Sequence, residues 1–172
     1  VDAVVGSGSM GSSTLAVSSL SGAFLPGQQI LIHQTRGSGA GTWELNTVQS
    51  YALGNVFTGT PLAHTYASSG ADRAQVLVVP QYTNVTVNSG VTASAKPWDG
   101  STGGIFAVLA NGTIAIAGTI SADGMGYRQN TYSSVTLQAG NQGEGTSGVG
   151  GQSTSGNGTG GGGWQDGSGA FH

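Results

Sequence analysis

Three aspartates in loop-like contexts are the first residues of this chain to test for chemistry. Asp72, Asp99 and Asp123 each lie beside Gly or small residues, and Asp99-Gly-Ser-Thr and Asp123-Gly-Met-Gly have the look of oxygen-ligand loops. Calcium takes about six to eight oxygens, usually with several carboxylates among them. Each loop here brings one, and the pattern Gly-Gly-x-Gly-x-Asp does not occur. Asp99 and Asp123 are thus weak calcium candidates, and Asp-Gly as a turn former is the better reading. Glycoside hydrolysis needs two carboxyls roughly 5–9 Å apart across a cleft. Asp99 and Asp123 stand 24 residues apart, off the chain's own repeat, so nothing in the spacing brings them together.

His33, Glu44 and His64 are the other acid–base or metal candidates, but they match no His-Glu-x-x-His spacing. Ordinary polar surface is the expectation for them. No Gly-x-Ser-x-Gly elbow sits between a strand and a helix, and Gly6-Ser-Gly-Ser is a chance near-match in a Ser- and Gly-rich chain. Without cysteine there is no disulfide framework, no Cys-ligated zinc and no thiol nucleophile. The expectation is a protein that is not an enzyme and needs no cofactor; a polysaccharide-processing enzyme is the least favoured alternative.

Trp98, next to Pro97 and before Gly100, is the candidate for stacking on a sugar ring, against the alternative of an aromatic lid on a corner. Asn84-Val-Thr, Asn111-Gly-Thr and Asn157-Gly-Thr match the glycosylation acceptor pattern, as so much Asn and Thr would produce by chance. Val1, Val4 and Val5, in an apolar N-terminal run, and Trp164, in a Gly-rich run, are candidate assembly contacts.

Charge bounds the partners. Only 6% of the 172 residues are charged and the formal net charge is -3, where about 25% charged is usual. Arg36, Arg73, Lys96 and Arg128 are scattered, which argues against a phosphate-tracking surface. No apolar run reaches the ~18 residues of a membrane span. Solvation must come from hydroxyls, amides and backbone, a pattern of secreted β-rich proteins. The start at Val1, with neither Met nor leader, predicts a mature or trimmed terminus.

The elements that would position these residues fall into three zones. In residues 1–69, β-type runs such as Gln29-Ile-Leu-Ile-His33 and Trp43 to Tyr51 are cut by Pro26-Gly27, Gly37-Ser-Gly39, Gly54-Asn55 and Gly59. Such runs predict a small β-barrel or sandwich-like part. Residues 70–138 repeat at an offset of about 29: Gln75–Val79 overlays Gly104–Val108, Val85 falls on Ile114, Val87 on Ile116, and Val91 on Ile120. Val135-Thr-Leu137 is a weaker third echo of Ile114-Ala-Ile116. Self-similarity of this period marks stacked coils. The expectation is a short parallel β-solenoid with Val85, Val87, Val91, Ile114, Ile116 and Ile120 in one core; an antiparallel sandwich is the alternative. Residues 139–172 are Gly-rich and predict a flexible tail that orders on meeting partners, or a packed lattice of extended strands.

Gly27 to Glu44, Val79 to Thr92, Trp98-Asp-Gly-Ser-Thr-Gly-Gly and Gly118-Thr-Ile-Ser-Ala-Asp-Gly-Met-Gly-Tyr-Arg together resemble a Gly-rich β-helical module of large bacterial secreted and cell-surface, adhesin-like proteins. The resemblance implies an extracellular, fibre-building or adhesive role and carries over no catalytic residue. The reading is an all-β subunit of a surface filament or layer that self-associates through strand or tail exchange. A carbohydrate-binding adhesion module, with a glycan partner, and a phage tail-fibre-like tip are the alternatives.

Overall fold

The computed structural model describes residues 1–128 and 143–148. Its elements are all β-strands. The N-terminal part is built from β1 (Asp2–Gly8), β2 (Thr14–Ser21), β3 (Gln29–Arg36), β4 (Trp43–Ala52), β5 (Asn55–Thr58), β6 (Tyr66–Ala67) and β7 (Arg73–Val78). The sheet runs β2-β5-β4-β3-β7-β1, and β1 also pairs with β2, so six antiparallel strands close on themselves as a barrel. Closure leaves no open edge between these strands. The short β6 adds to β1 at Ser7 and Gly8.

Period-2 alternation fills this barrel. Along β3, Ile30, Ile32, Gln34 and Arg36 point in and are buried, while Leu31, His33 and Thr35 are half-buried on the outside. Ala3, Val5, Leu15, Ile30, Ile32, Val48, Val56, Ala74 and Val76 form the core. The β4–β5 hairpin turns on Leu53 and Gly54, both at positive φ (51° and 74°), the geometry of a two-residue turn matched to strand twist.

The barrel extends to Val78, past the boundary expected at residue 69. Gln75–Val79, overlaid in sequence on Gly104–Val108, belongs largely to barrel strand β7. Val1 to Val5 is also corrected: it is not a spare arm. β1 pairs on both sides, Val5 is fully buried and Val4 half-buried.

Beyond the barrel come β8 (Gln81–Tyr82), β9 (Val85–Val87), β10 (Thr92–Ser94), β11 (Leu109–Ala110), β12 (Ile114–Ile116) and β13 (Thr119–Ser121). They form three parallel pairs, β8–β11, β9–β12 and β10–β13, so one turn of chain lies over the next. Val85 pairs with Ile114 and Val87 with Ile116, at the 29-residue offset. Past the corner the offset shortens: Ile120 pairs with Ala93 rather than Val91.

Two glycines permit this stacking. A Cβ on Gly118 would lie 2.3 Å from the carbonyl oxygens of Asn88 and Val91, and one on Gly112 would lie 2.6 Å from that of Thr83. The same close approach lets the Gly118 and Gly112 amides donate to Val87 (2.9 Å) and Thr83 (2.8 Å). The Asn84 amide oxygen accepts from the Thr113 amide (2.8 Å), joining the turns by a side chain.

The expected common core of the repeat forms only in its first turn. Val87 is buried, but Ile114, Ile116, Ile120 and Val91 are exposed. Among the described residues β12 pairs on one side only, so Ile114 and Ile116 lack the covering strand that β12 itself gives to β9.

Candidate functional site

Three features combine chemistry with position: a buried ionic joint, an exposed strand edge and a groove. The joint holds the barrel to the stacked turns. Arg36, at the inner end of β3, ion-pairs with Glu144, and both side chains are nearly inaccessible (1% and 2%). Glu144 Oε2 accepts from the Trp98 indole N–H at 2.8 Å and from Arg128 Nε at 3.0 Å. The Glu144 amide donates to the Arg128 carbonyl at 3.0 Å. Burial pushes the Glu144 carboxyl up, but the Arg128 and Trp98 hydrogen bonds outweigh it and hold it below the usual carboxylate range.

Other bonds support the same joint. Gln75, on β7, donates to the Gly103 carbonyl (3.0 Å) and accepts from its amide (2.8 Å). Lys96 reaches Asp2 at 2.6 Å, and the Tyr127 hydroxyl donates to the Thr35 carbonyl.

This joint decides between the two readings of Trp98 and corrects the reading of residues 143–148. Trp98 is 5% exposed and edge-on to Tyr127, so the ring is an aromatic lid within the joint and presents no open face to a sugar. Residues 143–148, placed in the Gly-rich tail, include the buried Glu144 and a bridge between Gly145 and Gly148.

Asp99 Oδ1 accepts the Ser101 and Thr102 amides at 2.8 and 2.9 Å, and Lys96 lies 3.5 Å from Oδ2. Burial raises the carboxyl, but the Thr102 and Ser101 amides, with Lys96, bring it below its ordinary value. This is a turn-forming aspartate. The Asp123 amide donates to Ser121 Oγ at 3.1 Å, another local turn. Among the described residues, no group of three His, Cys, Asp or Glu is placed to hold a metal.

His33, Glu44 and His64 do not assemble. Glu44 points inward, its Oε2 accepting the Ala63 amide at 2.7 Å, whereas His33 faces outward and bonds Thr35 Oγ1 at 3.0 Å. His64 is exposed, edge-on to Tyr66. Burial raises the Tyr66 hydroxyl strongly, with the Glu44 charge adding to it. Asn84 and Asn111 are exposed. Trp164 and Asn157 lie outside the described residues.

The strand edge belongs to β11–β13, which pair with β8–β10 on one side. Leu109, Ile114, Ile116 and Ile120 lie on it, Ile114 at 47% and Ile116 at 52% exposure, with the exposed Phe106 just before β11.

The groove, of about 470 Å³, lies where β3 begins and β8 and β11 pair; Gln29, Gln81, Tyr82, Thr83, Leu109 and Asn111 line it. Tyr82 is 52% exposed. The Asn111 amide donates to the Tyr82 carbonyl at 3.1 Å, which sets the two residues side by side. In the sequence Asn111 stands out only as part of a sequon, unconnected to Tyr82. The signal was present: they are 29 residues apart, the offset of the repeat.

Comparison with known proteins found no match: no family model, no curated protein and no solved structure aligns significantly with this chain.

Proposed function

We propose that this chain is a non-enzymatic, extracellular structural or adhesive subunit, and that its stacked turns continue as a β-solenoid by accepting an extended strand from a second copy. The observation that carries this reading is the edge of β12: Ile114 and Ile116 are exposed beside a strand paired on one side among the described residues. An apolar strand edge is a template for strand addition, with backbone bonds giving affinity and alternate side chains giving specificity. A net charge of -3 offers little repulsion between copies. A strand donated head-to-tail makes a heterologous contact, which propagates into a filament unless it closes as a ring.

Further support comes from the carboxylates. Glu144 is held in the joint, Asp99 in its turn, Asp2 by Lys96, and Asp72 by the Ser38 amide at 2.8 Å. The sparsely charged, amide- and hydroxyl-rich composition suits a cell-surface setting.

Light scattering and electron microscopy across a concentration series test the proposal. Concentration-dependent assembly is expected from the parent chain. The double variant Ile114→Lys, Ile116→Lys is expected to stay monomeric while the barrel's near-ultraviolet circular dichroism is unchanged. A parent chain that remains monomeric at high concentration, or assembly that survives the double variant, overturns it.

A further inference from the structure

We infer that the groove between the start of β3 and the β8–β11 pair is a binding site for a neutral, hydroxyl-rich glycan, with Tyr82 as the stacking platform. The inference rests on the chemistry of the lining; the groove shares Leu109 of β11 with the strand edge but not Ile114 and Ile116, which carry the assembly reading.

None of the residues lining it carries a charge, so the site offers no ion pair to a phosphate, sulfate or uronate. A half-exposed aromatic ring supplies a flat apolar face, and buried rings of this kind dominate interface energetics. Gln81, Thr83 and Asn111 also line the groove, and their side chains hydrogen-bond to no other described residue. Amides and a hydroxyl both donate and accept, which suits the mixed donor and acceptor character of sugar hydroxyls. Gln29 is the more fixed member, its Nε2 donating to Thr47 Oγ1 at 2.7 Å. Leu109, the register partner of Gln81, adds an apolar side chain to the lining. The volume falls within the ~300–1,000 Å³ of small-ligand sites.

Position also favours binding. β8 and β11 pair in parallel, and the Leu109 amide donates to the Pro80 carbonyl at 2.9 Å, so the groove wall is backbone-bonded. Val79 donates to the Gln29 carbonyl at 2.8 Å, which fixes that wall to the barrel. The backbone of the wall is therefore fixed before a ligand arrives, and binding orders the exposed side chains upon it. Trp43 is a second exposed aromatic, but it stands on the outer barrel wall and lines no part of this groove.

The test is an array of neutral and anionic oligosaccharides probed with the full chain, followed by calorimetric titration of the best hit. Binding to neutral glycans is expected. Tyr82→Ala should weaken it by about tenfold or more, as loss of an aromatic anchor does. Asn111→Ala should weaken it, Tyr82→Trp should retain it, and Trp43→Ala should leave it unchanged. Thermal unfolding of Tyr82→Ala should match the parent, because the ring is half exposed. No neutral-glycan binding, preference for anionic sugars, or binding that follows Trp43 instead of Tyr82 overturns the inference. Assembly, read separately by light scattering, is unaffected by Tyr82→Ala, so this site and the strand edge stand or fall apart.

Discussion

The Trp98 indole N–H donates to Glu144 Oε2 at 2.8 Å, and the other oxygen of that carboxylate pairs with Arg36, so one acidic side chain ties the stacked turns to the barrel. The three residues are drawn from distant parts of the chain, and two of them are charges removed from water. Breaking such a pair on one side leaves a buried, uncompensated charge.

Glu144→Gln should therefore destabilise the protein by about 3–5 kcal/mol. Urea unfolding would measure it. Trp98→Phe removes the N–H donor together with part of the buried indole ring, so it should cost about 1–3 kcal/mol for the hydrogen bond lost at the carboxylate oxygen plus a cavity term.

Stability should fall with acid in two windows. Burial lowers the His33 imidazole below 6.5, so its contribution is whole above that value and declines as pH falls through the folded value. Glu144, held below 4.5, contributes fully above that pH, and the contribution is lost as pH falls through its lower folded value. Asp99 adds in the same direction below 3.8, with less weight because it is half exposed. Thermal unfolding across pH 2–8, a range of about three carboxylate and imidazole transitions, should show the 4.5-and-below limb flattened in Glu144→Gln and the 6.5 limb flattened in His33→Gln.

Gly118→Ala should destabilise the stacked turns by about 1–3 kcal/mol, because the added methyl meets two carbonyl oxygens that have no room to retreat. Gly124→Ala serves as the contrast: a Cβ there meets nothing within 4 Å, so only its positive φ (70°) is strained, and the loss should be smaller. Urea midpoints of the two variants decide it.

Deleting residues 1–12 should abolish the folded barrel rather than leave a soluble monomer. β1 lies between β2 and β7 and brings Ala3 and Val5 to the core, so its loss opens the barrel and exposes two edges. Far-ultraviolet circular dichroism and amide dispersion in NMR would report it; a well-folded truncated monomer would contradict the placement of β1.

The features legible in the chain alone are local and periodic. Alternating Ile and Val between Gly and Pro punctuation determined an all-β chain, because a period of two leaves one face apolar and the other wet. The 29-residue echo determined that Val85 meets Ile114, because equivalent turns stack only in register. Tertiary structure decided the rest. An apolar run such as Gln75–Val79 reads equally well as barrel strand or solenoid strand, and only barrel closure assigned it to β7. Val1 to Val5 looked like a loose arm until β2 and β7 flanked it. Trp98, between Pro and Gly in sequence, reads either as an exposed platform or as a corner lid, and the group that covers it, Glu144, comes from a Gly-rich stretch 46 residues on. Glu144 itself pairs with Arg36 across 108 residues. A lone carboxylate among glycines reads as solvated, and no periodicity links it to its partner. Long-range ionic contacts leave no repeating trace along a chain, so only the folded arrangement brings them to view.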